Sequence, residues 1–191
     1  MKTFELKGEV RQELGKKATK AVRNSESVPC VLYGGGENVH FTATKSDLRK
    51  LIYSPDVFVV NLSIGKTMTK AIMKDLQFHP VSDQVLHIDF LEVAENKPVV
   101  VELPVKLVGL AEGVKAGGKL SLEIRKLKVK GVYTNIPEVI TIDVTSLGLG
   151  KSIQVAKVQL DGLELLNAKN TVVAQVKLTR AARGAAAAAD K

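Results

Sequence analysis

Between Val57 and Lys74 the chain reads VFVVNLSIGKTMTKAIMK. Val57 to Ile64 is nearly all apolar, and from Thr67 to Met73 apolar and polar residues alternate up to Lys74. A run this short, rich in valine and isoleucine, is strand-like in length and composition. Alternation with period two puts successive side chains on opposite faces of a sheet. Gly65-Lys66 between the two runs reads as the tight turn of a hairpin.

The same period extends outward in both directions. Phe4, Leu6 and Gly8 alternate with Glu5, Lys7 and Glu9; Val39, Phe41 and Ala43 alternate with His40 and Thr42; Leu86, Ile88 and Phe90 alternate with His87 and Asp89. Glycines punctuate the runs, most densely at Gly34-Gly35-Gly36 after the apolar stretch Val28 to Tyr33. Two segments depart from the pattern. In Thr44-Lys45-Ser46-Asp47 a threonine stands three residues before an acid, and Leu48, Leu51 and Ile52 follow at helical spacing. A capped amphipathic turn or two, ending before Ser54-Pro55, is predicted there. The other segment, Lys16 to Asn24, carries the basic stripe described below.

Ala94-Glu95-Asn96-Lys97 is a polar stretch closing in Pro98, which predicts a first domain over 1–93, a linker over 94–97 and a second domain over 98–178. In the second half PVVVELPVKLVG, KLSLEIRKLKVKG, EVITIDV and TVVAQVKL are further strands, with no convincing helix before the tail. The fold class is therefore mainly β, with an all-β, sandwich-like C-terminal domain. Residues 179–191 form an alanine-rich, low-complexity tail without an apolar face, read as a disordered extension.

The 191 residues include 28 basic and 20 acidic side chains, a net +8, which suggests a polyanionic partner. By halves, residues 1–93 hold 13 basic and 11 acidic side chains, and residues 94–191 hold 15 and 9, so the bulk excess lies in the second half. Cys30 is the single cysteine, which excludes an internal disulfide and reads as a small buried hydrophobe. The N-terminus lacks an apolar signal region, and no apolar run is long enough to span a bilayer, so the expected location is cytoplasmic.

Locally the cations cluster elsewhere. Arg11 to Arg23 holds five basic residues against Glu13 alone. On a helix from Lys16, the side chains of Lys16, Lys20 and Arg23 fall within about 60° of one another. Ala18, Ala21 and Val22 fall on the opposite side, a small apolar face suited to lying on a sheet. The stripe is either a solvated surface or a phosphate-gripping helix, and the absence of acids at i±4 favours the second. Tyr33, at a strand end beside three glycines, is either a buried core residue or a ring placed to stack on a base.

The segment Gln77 to Phe90, QFHPVSDQVLHIDF, holds two of the three histidines. His87 and Asp89 are i,i+2 neighbours on one strand face, suited to recognition: the carboxylate accepts from base amino groups or 2′-hydroxyls, and the imidazole donates or stacks. A metal-dependent hydrolase centred on His79, His87 and Asp89 is the alternative in the enzyme class, although zinc normally takes three or four ligands. Gly113 to Lys119 fits part of a phosphate-binding loop, but Leu120 replaces the metal-binding hydroxyl and a strand follows, so it is read as a glycine-rich turn. Lys126, Lys128 and Lys130 alternate onto one strand face that meets solvent, RNA or protein.

Taken together, RQELGKKATKAVRNSESVPCVLYGG, QFHPVSDQVLHIDF, GVKAGGKLSLEIRKLKV and NIPEVITIDVTSLGLGKSI resemble the bacterial large-subunit ribosomal proteins that bind 5S rRNA, in the longer two-domain form of the general stress protein CTC type. The resemblance covers nearly the whole chain except the tail. It implies an N-terminal six-stranded-type β-barrel with two or three short helices that docks on 5S rRNA, followed by a C-terminal β domain. It implies a structural constituent of the large subunit among neighbouring ribosomal proteins, monomeric off the ribosome, without membrane attachment, catalysis, cofactor or metal. Carried over position by position, the RNA-contacting residues are Arg11, Lys16, Thr19, Lys20, Arg23, Tyr33, Gln77, His87 and Asp89. Lys17 stands where the family usually has a second glycine, Lys20-Ala21 where it has paired arginines, and Phe78 where a basic residue is common. Lysine supplies a point charge in place of arginine's planar fork. A stress-linked adaptor acting through the C-terminal β domain is the remaining alternative.

Overall fold

The computed structural model describes residues 1–65, 67–160 and 162–180. Two compact units divide the chain, Met1–Val101 with Val132–Ile136, and Glu102–Gly131 with the residues from Pro137 onward.

In the first unit six strands close into a barrel: β1 (Lys2–Val10), β2 (Ser27–Tyr33), β3 (Val39–Thr44), β4 (Phe58–Ile64), β5 (Thr67–Phe78) and β6 (Val85–Glu92), in the order β1-β3-β2-β6-β5-β4. The hairpin predicted around Gly65 forms: β4 and β5 pair antiparallel with Ile64 opposite Thr67, and Gly65 takes φ +60°. Closure requires two parallel pairings, β1 with β4 and β2 with β6. Alternation sends Leu6, Val28, Cys30, Leu32, Phe41, Val60, Leu62, Ile88 and Phe90 inward, all buried, with Phe41 and Phe90 5.7 Å apart between ring centroids. Gly8 keeps the β1 period because nothing larger fits, since a Cβ there would lie 2.5 Å from the Phe41 ring.

Two helices attach to the barrel, α1 (Lys16–Asn24) and α2 (Lys45–Ile52). The predicted cap of α2 is present: Thr44 Oγ1 accepts from the Asp47 amide, and its hydroxyl donates to the Asp47 carboxylate at 2.6 Å. Leu48 and Leu51 are fully buried against the barrel core, each contributing about 2 kcal/mol of apolar burial.

The second unit is β-rich. A four-stranded sheet orders β10 (Ile140–Asp143), β7 (Val99–Val108), β9 (Lys126–Gly131) and β12 (Glu164–Leu165); a three-stranded sheet orders β11 (Ser152–Gln154), β13 (Val172–Lys177) and β8 (Lys119–Leu122). The run KLSLEIRKLKVKG is thus two strands in different sheets. The expectation of no helix before the tail is corrected by α3 (Glu112–Lys115), a single turn. Tertiary contact stabilises it: the amides of Glu112 and Gly113 donate to the carbonyls of Thr145 and Leu147, and a Cβ at Gly113 would sit 2.7 Å from the Gly148 backbone. The Gly118 amide in turn donates to Gly113 O. The glycines of the loop-like motif therefore serve packing, with their amides already used. The tail reading concerns residues 179–191, of which 181–191 lie outside the described residues.

Candidate nucleic-acid interface

The outward side chains of β3, β2, β6 and β5 form one exposed face. Register aligns His40 with Val31, Val31 with Asp89 and Asp89 with Asp75, a row across four strands. Gln77 pairs with His87 one step along, and Tyr33 lies opposite Leu91 in the other direction. Tyr33, Gln77, His87 and Asp89 are thus brought together. Sequence reasoning missed His40 and Asp75 as members of this row. His40 was readable as outward from its alternation with Phe41. Asp75 was not, because β5 shifts register between Met73 and Asp75, and such a bulge inverts the inside-outside phase.

Within the face, Asp89 Oδ1 lies 2.7 Å from His87 Nδ1. This contact orients the ring and leaves Nε2 as the nitrogen available to a partner. Partial burial holds the Tyr33 hydroxyl above its usual range, with Asp89 and then Asp75 adding to the effect, so the phenol stays a donor. Behind the sheet, burial pushes the Cys30 thiol up to about 12; Asp89 adds to the rise and Arg11 opposes it. Cys30 is completely buried and is a packing residue rather than a nucleophile.

Helix α1 packs against β2. Lys16, Lys17 and Lys20 are exposed, with no hydrogen bond or ion pair to any described residue. The two predicted helix faces need correction. Ala21 is exposed, whereas Thr19 and Arg23 are half-buried beside Ala18 and Val22. The cause is polar: Arg23 donates through Nε and Nη2 to Leu86 O at 3.2 and 2.9 Å, fastening the helix to β6. Arg11 Nη2 donates to Thr19 Oγ1 at 3.2 Å and to Glu13 O at 3.4 Å, while its amide donates to His40 O. Arg11 Nε is buried without a hydrogen-bond partner. Lys16 and Lys20 therefore face solvent, and Arg11, Thr19 and Arg23 hold the helix against the barrel edge.

His79 takes another role. Its Nδ1 accepts from the amides of Val81 and Ser82, at 3.3 and 3.2 Å, inside the β5–β6 turn. Among the described residues no three metal-ligating side chains converge. The lysines of β9 point outward as predicted, and two carry partners: Lys128 pairs with Glu102 at 3.7 Å and Lys130 with Glu164 at 3.3 Å.

Residues 6–90 match the Ribosomal L25p family, and residues 98–180 match the family described as ribosomal protein TL5, C-terminal domain. A large ribosomal subunit protein bL25 from Azobacteroides pseudotrichonymphae is 61% identical over 184 residues, covering 96% of this chain and 97% of the relative. Those from Porphyromonas gingivalis and Bacteroides fragilis are 60% and 57% identical, over 97% and 100% of this chain and 98% and 100% of theirs. The chain belongs to the bL25 family. It is a family of structural ribosomal proteins rather than enzymes. All nine candidate contact residues fall inside the L25p match. No helix among the described residues is long and apolar enough to cross a membrane.

Proposed function

We propose that this bL25-family chain is a cytoplasmic constituent of the large ribosomal subunit that binds 5S rRNA through its first domain, residues 1–93, with 98–178 a second domain after a linker at 94–97. One observation supports this reading above the others: a helix with three lysines that have no partner among the described residues packs on β2, next to the face holding Tyr33, Gln77, His87 and Asp89. Lysines on such a helix neutralise phosphates and set the register on the RNA. The strand face supplies what phosphates do not read: a phenol donor and ring, a carboxamide, and an imidazole–carboxylate pair able to meet base edges and 2′-hydroxyls. Off the ribosome the chain is monomeric in this reading; on it, neighbouring ribosomal proteins join the RNA as partners.

The test is a titration of the full chain with 5S rRNA at several salt concentrations. Neutralising four or five phosphates gives a slope of log K against log salt of roughly −3 to −4. Asp89→Ala should weaken binding without changing the slope, because a carboxylate neutralises no phosphate. A flat salt response, or equal affinity for an unrelated structured RNA, would sink the reading.

A further inference from the structure

The first unit contains a cavity of about 450 Å³ between α2 and the β5–β6 turn, away from the residues assigned above. Its floor is Val28, fully buried, with Ile52 beside it. On one wall the Arg49 guanidinium has no hydrogen bond or ion pair to any described residue, and the Tyr53 ring is 68% exposed. Exposed Asp83 and Gln84 stand on the turn side. Lys45, also on the lining, is engaged by Glu26 at 3.4 Å, so Arg49 is the cation left to a ligand.

The turn side is internally braced. His79 N donates to Gln84 O, Asp83 N donates to His79 O, and the His79 imidazole takes two further amides. Asp83 is held at φ +53° by this arrangement. The pocket is therefore pre-formed and does not need a ligand to order it.

We infer that this cavity takes one unstacked nucleotide of the RNA that the domain binds. The lining has the polarity of a nucleotide: a planar cation for a phosphate, an aromatic ring for a base to stack on, and a carboxylate and carboxamide for amino and imino groups on a base edge. A free phosphate would meet Arg49 but leave the apolar floor empty and face Asp83. An apolar ligand would leave Arg49 and Asp83 unpaired. RNA is favoured over a peptide because the site borders β6, the strand that also carries His87 and Asp89, so one strand can follow both surfaces. The inference rests on the RNA-binding reading but uses none of its residues.

In the full chain, Arg49→Ala should weaken 5S rRNA binding roughly tenfold and reduce the salt slope by about one. Tyr53→Ala should weaken it by a similar factor without changing the slope, while Tyr53→Phe, which keeps the ring, should bind like the parent. Both side chains are exposed, so folding is not at stake. A photo-crosslinking residue at position 53, in the 5S rRNA complex and in assembled large subunits, should capture ribosomal RNA. Crosslinking to protein alone, or unchanged affinity of Arg49→Ala and Tyr53→Ala against a parent that binds 5S rRNA, would overturn the pocket assignment. A parent that fails to bind isolated 5S rRNA sinks the interface reading instead, and an RNA crosslink at position 53 within subunits would still support the pocket.

Discussion

Two basic surfaces of this chain differ in what their lysines touch. The second half carries most of the net charge, yet Lys128, Lys130 and Lys177 are each paired with a glutamate. Helix α1 sits in the nearly neutral first half, and Lys16, Lys17 and Lys20 have no such partners among the described residues. A cation already matched by an acid releases few counterions when a phosphate arrives, because its field is largely cancelled. Unpaired cations on a positioned helix, rather than total charge, distinguish a nucleic-acid surface from a solvated one.

The largest expected effect tests this contrast directly. Replacing Lys16, Lys17 and Lys20 together by alanine should reduce 5S rRNA affinity by on the order of a hundredfold at moderate salt and flatten the salt slope by two to three, as one lost phosphate contact per lysine requires. The matching triple replacement at the paired lysines Lys128, Lys130 and Lys177 removes the same charge and should change affinity less than about threefold, the effect of long-range attraction alone. Equal losses from the two triples would mean that net charge, not pairing, governs binding.

Arg23 is the exception within the basic helix, and it separates docking from charge. Arg23→Ala removes two charge-assisted bonds to Leu86 O. It should cost about 1–2 kcal/mol of stability, visible as a lower melting temperature. Binding should weaken roughly tenfold as the helix loses its anchor. Arg23→Lys keeps the charge without the fork, so it should recover part of the affinity and little of the stability. An unchanged melting temperature in Arg23→Ala would show that the anchor is dispensable.

The basis of these contrasts was only partly legible beforehand. Alternation along β1, β3 and β6 placed the inward and outward residues correctly, because one buried face imposes period two on the sequence. The α2 cap could be read from Thr44 and Asp47 alone. The parallel pairing of β2 with β6, which puts Tyr33 beside the Asp89 strand, left no local mark, since it depends on closure of the whole barrel. The β5 bulge likewise concealed Asp75. For α1, helical spacing identified a stripe but not its rotation, which is set by hydrogen bonds from Arg23 to Leu86, far along the chain, and from Arg11, outside the helix, to Thr19 within it. In the second unit, β11 and β12 are two or three residues long, too short to show any period.

The smallest effect concerns the paired surface. Glu123 accepts at 2.8 Å from each of Lys177, Gln175 and Ser121, and these bonds, led by Lys177, hold its carboxyl down to about 2. A carboxyl depressed in the folded state adds stability above the ordinary carboxylate range and loses it as pH falls through its folded value. Glu123 is solvent-exposed, so the global effect on stability should be slight and the local titration is the proper readout. Carbon-detected NMR of the side-chain carboxyl should find Glu123 still ionised at pH 3, where unpaired glutamates are mostly protonated. In Lys177→Ala its midpoint should move back up toward the ordinary range. A parental midpoint near 4.5 would mean that the lysine is as free as those of α1, and the distinction between the two surfaces would fail at that position.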